Sequence, residues 1–377
     1  MEALEFEAKF GAQMDSTTTL AVTNAHPVNE WASRSQYWLD QTNKSEPKRR
    51  RRERQATSLI LTGHGLSVRV DKSCLLIRDG NTHYPAEKRE LRFFNGSLDI
   101  PPRIILVDGS GNITIDAIGW MAQQGIALVC ISYDGSTASV LSPSGFAADP
   151  KRVAWQRETR DDPKRQLKFA IQTIEQKLKA SIETLSDFIP ASLSRDKAIT
   201  AAKSCLVEIK SAPSLPAMLG IEGPAAKAYW RAWQGIEVRW KAKSRYPIPA
   251  EWRACTSRIS QNDKKWRNRN ATHPINAMLN YAYAALLTEM RMKAIADGYD
   301  PMLGILHDQR DKGKDRTPSF ALDLMEPLRP VVDRVVLKLV REETFSGADF
   351  LLQSDGVCRL NPELARRVAQ SAHQILI

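Results

Sequence analysis

PKRQLKFAIQTIEQKLKASIETL, residues 163–185, is the stretch on which the fold turns. Leu167, Ile171, Ile174, Leu178, Ile182 and Leu185 recur at steps of three or four, which puts them on one face of an amphipathic helix. Upstream the period is different. SLILTG (58–63), LSVRVD (66–71), CLLIRDG (74–80), RIILVDGSGN (103–112) and IALVCISYDG (126–135) are short β-branched runs separated by turn residues, and they read as strands. Asp79-Gly80-Asn81, Asp108-Gly109 and Asp134-Gly135 supply residues that tolerate positive φ in turns. Gly109-Ser110-Gly111 lacks the further glycine and lysine of a phosphate cradle and reads as a plain turn. A short helix is expected over 113–124.

Downstream of 163–185 the helical pattern persists. Pro274 opens a helix through Met278, Leu279, Tyr283, Leu286 and Leu287, and another begins near Ser319 with Phe320, Leu324, Leu328, Val331, Val335 and Leu339 on one stripe. Pro327 and Pro330 lie inside that last pattern, where a proline removes a backbone donor and bends the helix. The expected fold class is therefore α+β. A β domain spans 57–145 and a larger helical domain spans 146–377. Residues 1–56 show no sustained period and end in Lys48, Arg49, Arg50, Arg51, Arg52, Glu53 and Arg54, so they read as a basic, flexible extension, either a solvated tether or an arm that touches phosphates.

Charge narrows the function. Of 377 residues, 54 are Lys or Arg and 43 are Asp or Glu, a net +11. Residues 227–270 hold 12 basic groups against Glu237, Glu251 and Asp263, so most of the excess falls in one short segment. Trp230, Trp233, Trp240, Trp252 and Trp266 with Tyr229 and Tyr246 are interleaved there, a mixture that suits phosphate contact and base stacking, or else aromatics in a core under a solvated cationic rim. Lys241, Lys243, Arg245, Arg267 and Arg269 are its candidate nucleic acid contacts. Five scattered cysteines, none in a C-x-x-C pair, suggest neither a disulfide framework nor a zinc site. With no apolar run long enough to span a bilayer and an acidic start unlike a secretory signal, a cytoplasmic protein is expected.

Three places could carry chemistry. Asp323 and Glu326 are three apart and share a helix face away from the apolar stripe, as a solvated acidic edge or as ligands. His307 follows Gly304-Ile305-Leu306 and precedes Asp308, Gln309 and Arg310 at the edge of a loop. Glu222, bracketed by Gly220 and Gly223 ahead of Pro224, reads as a carboxylate at a helix start, where a cap is the simplest role. His26, His64, His83 and His373 have no motif context and read as structural.

IEGPAAKAYW (221–230), WRNRNATHPINAMLNYAY (266–283), GILHDQR (304–310) and ALDLMEPLRPVVD (321–333) together resemble the CRISPR adaptation integrase family, metal-dependent DNA endonucleases that insert new spacers. The resemblance extends more weakly over 103–135 and 157–178, and so covers about 57–360. It implies a β-sandwich-like amino-terminal domain that mediates homodimerisation and an all-helical catalytic domain with one metal site. The family's glutamate falls on Glu222, its histidine on His307 and its second acid on Glu326. Asp323 matches a further acid, as an additional ligand or one that orients a ligand, and Arg310 a basic residue near substrate phosphate. His273 stands where the family has an acid before its proline. Two carboxylates and an imidazole suit Mg²⁺ or Mn²⁺. The implied partners are DNA, as protospacer ends and repeat target, a second copy of the chain, and a small ferredoxin-like adaptation protein. The alternatives are a mobile-element, casposon-type integrase with the same chemistry, and a catalytically idle basic DNA-binding protein.

Overall fold

The computed structural model describes residues 29–47, 50, 52–82, 89–131, 137–141, 148–258, 270–307 and 318–375. Six strands form one mixed sheet in the order β3-β2-β1-β4-β5-β6: β1 Leu59–Asp71, β2 Cys74–Arg78, β3 Glu90–Phe93, β4 Arg103–Ile113, β5 Ala127–Ile131 and β6 Thr137–Leu141. The pairs β1–β4 and β4–β5 are parallel and the others antiparallel. Two runs expected as separate strands, 58–63 and 66–71, are one strand whose register against β4 shifts on either side of His64. Gly63 and Gly65, both at positive φ, make that irregularity possible.

Gly109-Ser110-Gly111 is not a turn. It lies inside β4, where a Cβ on Gly111 would collide with the Leu66 carbonyl and one on Gly109 with the Gly63 carbonyl. These glycines allow two irregular backbones to run against each other. Asp108 likewise takes positive φ within the strand and accepts a 2.7 Å hydrogen bond from the Tyr281 hydroxyl.

Because strand side chains alternate, the sheet has two apolar faces. Leu61, Leu66, Leu75, Ile77 and Ile104 pack beneath a helix, α2 (Ile115–Gln123), through Ala117, Trp120 and Met121. Ile60, Ile105, Val107, Val129 and Ile131 face the other way and join the core of the helical region. The β-rich and helical parts thus share one core, bolted by Arg366 to Thr62 at 2.9 Å and to Asp79 at 2.5 Å.

The helical region comprises α3 (Pro150–Asp161), α4 (Pro163–Phe188), α5 (Leu193–Glu208), α6 (Leu215–Ala232), α7 (Pro274–Ala296), α8 (Ser319–Met325), α9 (Arg329–Glu342) and α10 (Pro362–Gln374), with a two-stranded ribbon, β7 (Phe350–Leu352) and β8 (Cys358–Leu360). The α+β class and the order of its parts are those expected. α7 is buried along most of its length and forms the axis. At its start the His273 Nδ1 accepts the Ile275 N–H at 3.2 Å, so the histidine performs the capping that an acid would. Burial lowers its pKa to about 4, which keeps the ring neutral and the acceptor available. Among the described residues no helix is long and apolar enough to cross a membrane.

A tether is not what 30–45 form. They make a helix, α1 (Glu30–Ser45), capped by Asn29 and packed on the 3-10 turn Gly347–Asp349 and on α10. Trp38 is wholly buried, and Arg34 makes a two-pronged ion pair with Asp349 at 2.7 and 2.8 Å. Of the basic run after it, Arg50, Arg52 and Arg54 are exposed, while Lys48, Arg49 and Arg51 lie outside the described residues.

Candidate active site

Glu222 is not at a helix start. Ser214 caps α6 and Pro216 occupies its first turn, so Glu222 stands in mid-helix with Pro224 inside the same helix. It projects toward α4, where Lys177 donates to Glu222 Oε1 at 2.9 Å. The same ammonium lies 2.9 Å from Glu326 Oε2. One lysine therefore joins acids that are 104 positions apart in the chain.

The proline pair does bend the last pattern. α8 ends at Met325, a 3-10 turn covers Glu326–Leu328, and α9 restarts at Arg329. Neither Asp323 nor Glu326 is a solvated edge: their side chains are 0% and 7% exposed, and the bend turns Glu326 toward α4 and α6. Burial opposes ionisation of Glu326, but Arg329, Lys177 and His307 outweigh it and hold its pKa at about 2. The Lys177 ammonium, disfavoured by burial, is in turn held above its ordinary pKa by the two glutamates.

His307 lies on the irregular stretch after α7. Asp323 organises that stretch: its Oδ2 accepts the N–H groups of Ile305 (2.6 Å) and Leu306 (3.1 Å), and its Oδ1 accepts that of His307 (2.9 Å). Oδ1 also lies 2.8 Å from the His307 Nδ1. Gln166 and Gln156 hold the Ile305 and Leu303 carbonyls at 2.8 and 3.0 Å. Carboxylate oxygens accept, so Nδ1 is the nitrogen that donates to Asp323, and in the neutral ring the lone pair is left on Nε2. Nε2 faces Glu326 Oε1 at 3.7 Å, and the ring is 34% exposed.

Glu222, His307 and Glu326 thus come together, and their donor set is one a hard divalent cation accepts. Among the described residues, however, no three His, Cys, Asp or Glu side chains stand close enough to enclose an ion as they are. Lys177 fills the position between the two glutamates. The carboxylates and imidazole fit a metal provided that the ammonium gives way.

Behind the glutamates, a cavity of about 70 Å³ is lined by Lys177, Glu222, Tyr229, Trp230, Arg329 and Asp333 among others. Asp333 accepts the Tyr229 and Tyr283 hydroxyls at 2.6 and 2.5 Å, and burial raises its pKa to about 6. Arg329 reaches Glu326 at 3.0 Å and lies over the Tyr283 ring. Sequence reasoning missed Lys177 and Arg329. The signals were present: Lys177 sits on the buried face of α4 between Ile174 and Ser181, and Arg329 is one turn past Glu326.

The basic aromatic segment resolves mostly toward the core reading. Tyr229, Trp233 and Trp252 are buried, and Trp240 stacks on Trp252 against Phe345 and Phe350. Trp230 is half-buried beneath Arg258. Lys241, Lys243 and Arg245 are exposed on the loop after Trp240, with Lys241 4.0 Å from Glu30 of α1. Arg267, Arg269, Arg310 and Trp266 lie outside the described residues.

Fold and site together define an α+β protein with a carboxylate and imidazole centre in its helical half. The chain belongs to the family described as CRISPR associated protein Cas1, whose model matches residues 59–374. It is 24% identical to CRISPR-associated endonuclease Cas1 1 of Methanospirillum hungatei over 331 residues, covering 83% of this chain and 86% of the relative. It is 23% identical to CRISPR-associated endonuclease Cas1 2 of Pyrobaculum aerophilum, covering 75% and 83%. Among solved structures, a casposase bound to its integration product superposes with a TM-score of 0.67 at 26% identity, covering 85% of this chain and 82% of that one. A Cas1 protein from Thermotoga maritima gives 0.60 at 16% identity, covering 85% and 90%, and shares the fold.

Proposed function

We propose that the chain is a metal-dependent DNA endonuclease and integrase that inserts spacer DNA into a CRISPR array by 3′-hydroxyl attack on target phosphodiesters. The observation that carries the reading is the convergence of Glu222, His307 and Glu326 from three separate segments, with the Nε2 of His307 turned toward Glu326. Those three residues would hold Mg²⁺ or Mn²⁺. Such an ion, when bound, polarises a phosphoryl oxygen and eases loss of the attacking hydroxyl's proton.

The chain's own residues do the rest. Asp323 locks the His307 tautomer and ring orientation, as carboxylates behind metal-binding imidazoles do. Arg329 keeps Glu326 ionised and brings positive charge beside the place a phosphate would occupy. Lys241, Lys243 and Arg245, with Arg267, Arg269 and Arg310, would bind backbone phosphates, making association fall steeply with salt. The assembly is a homodimer through the β region with a small ferredoxin-like partner, acting in the cytoplasm. The similarity to a chain of a Cas6-RT-Cas1–Cas2 complex, TM-score 0.59 at 18% identity, supports the fold such an assembly needs.

The casposase similarity favours a second reading, a mobile-element integrase with the same chemistry. The test is strand transfer of a 3′-hydroxyl DNA end into a duplex with Mn²⁺ or Mg²⁺, on targets bearing either a CRISPR repeat or terminal inverted repeats. Joining that His307→Ala abolishes while DNA binding persists supports the enzyme, and the preferred target separates the two biologies. Equal joining by parent and variant overturns the site. Binding without joining by either protein leaves a DNA-binding protein.

A further inference from the structure

Lys177 has no place in the chemistry just described, yet it occupies the centre of the site. Its side chain is 21% exposed, it sits on the buried face of α4, and its ammonium contacts both glutamates at 2.9 Å. Lysine is among the residues least often enclosed, because a charge taken from water must be compensated by close partners. Here the partners are the two acids that would serve as ligands.

We infer that Lys177 is a positioning residue that acts as the resident cation of the site, holding Glu222 and Glu326 together until a divalent ion displaces it from between them. The inference rests on the metal reading of the site. Two carboxylates left side by side in a poorly solvated place repel each other. One ammonium between them offsets that repulsion. A divalent ion bound to both acids would then need the space in which Nζ lies, and its charge would be repelled by an ammonium that stayed. The flexible four-carbon stem allows Lys177 to withdraw without any helix moving. The remaining charges are disposed to let it go. Glu326 keeps Arg329 at 3.0 Å on its Oε1, so it is not left unpaired when its Oε2 exchanges partners. Glu222 has no second cation among its described ion pairs, which makes it the acid whose placement depends most on Lys177.

Resident and incoming cations compete, so taking Lys177 away should strengthen metal binding even as it weakens the metal-free protein. A residue that merely packed the helices would do only the second. The experiment is Mn²⁺ titration of the full-length protein without DNA, with free Mn²⁺ read by electron paramagnetic resonance. Parent, Lys177→Met and Lys177→Gln are compared, and the fraction lost in His307→Ala marks the site. Gln keeps two donors for the glutamates and serves if Met does not fold. The expected result is Mn²⁺ binding at least tenfold tighter in the neutral variants. In parallel, the thermal midpoint should fall in chelator and recover with Mn²⁺ by more than it does in the parent. Binding of equal or lower strength in the variants overturns the role of Lys177 alone. Absence of site-specific Mn²⁺ binding in the parent and in both variants overturns the metal reading and this inference together.

Discussion

The Nδ1 of His307 lies 2.8 Å from Oδ1 of Asp323, and the same carboxylate gathers the backbone N–H groups of Ile305, Leu306 and His307. One buried acid therefore sets both the path of the loop and the tautomer of the ring. Asp323→Asn replaces an acceptor by a donor on one side, so either a loop N–H or the imidazole loses its partner. Metal affinity should fall about 10–100-fold, the usual loss when the group behind a metal-binding imidazole is removed. Mn²⁺ titration checks this, and unchanged affinity would remove Asp323 from the site.

Gly304 should tolerate no side chain. A Cβ there would collide with the His307 carbonyl and lie 2.6 Å from the Ser319 Cβ, so the loop carrying His307 must shift to admit it. Gly304→Ala should cost about 1–3 kcal/mol, as crowding does in packed regions, and weaken Mn²⁺ binding. Thermal unfolding and metal titration give the two numbers. A stabilised variant would show that the loop has room.

Arg34 and Asp349 form the buried pair that fastens α1 to the body. Arg34→Met leaves a carboxylate enclosed without its cation and should destabilise by about 3–5 kcal/mol in denaturant titration. Pairing it with Asp349→Leu should recover part of that loss. If the double variant were no more stable than the single one, the uncompensated charge would not be the cause.

The cap of α7 should make stability depend on pH. His273 is buried, and its pKa falls from 6.5 to about 4. A histidine held neutral by the fold contributes stability that is fully present above pH 6.5 and is lost as pH falls toward 4. That fall corresponds to roughly 3 kcal/mol over the window. His273→Asn keeps a capping acceptor that does not titrate, so its stability should decline less between those pH values. The comparison is made against the parent at each pH because Asp333 acts in the opposite sense. Its raised pKa of about 6 means that its contribution is greatest at low pH and is lost as pH rises through that value. Parallel pH profiles for parent and His273→Asn would contradict the assignment.

Much of this was legible in the residues. Hydrophobic period separates the strands of 59–131 from the helices after 150, because a buried face must repeat with the geometry of its element. The Pro327 and Pro330 pair announced the bend that turns Glu326 inward. Other features depend on tertiary contact and left only faint traces. Gly63, Gly109 and Gly111 look like turn residues, but what selects them is the close approach of β1 to β4. Glu222 looked like a cap because Pro224 so often opens helices, whereas Ser214 and Pro216 had already begun this one. Trp233, Trp240 and Trp252 alternate with cations in sequence because a segment at the surface shows both its faces, and only packing tells which is inside. α1 was missed since it buries only part of one side, through Arg34, Ser35, Trp38 and Thr42, among polar neighbours that mask the period.

The convergence of Glu222, His307 and Glu326 on one cation is tested most directly by diffraction from crystals of the protein grown with Mn²⁺, with data collected at the manganese absorption edge. The expected result is one anomalous peak within roughly 2.0–2.4 Å of both glutamate carboxylates and the His307 Nε2, with the Lys177 ammonium displaced from between them. A protein that saturates with Mn²⁺ yet holds it on other residues, with Lys177 still joining Glu222 to Glu326, would contradict it.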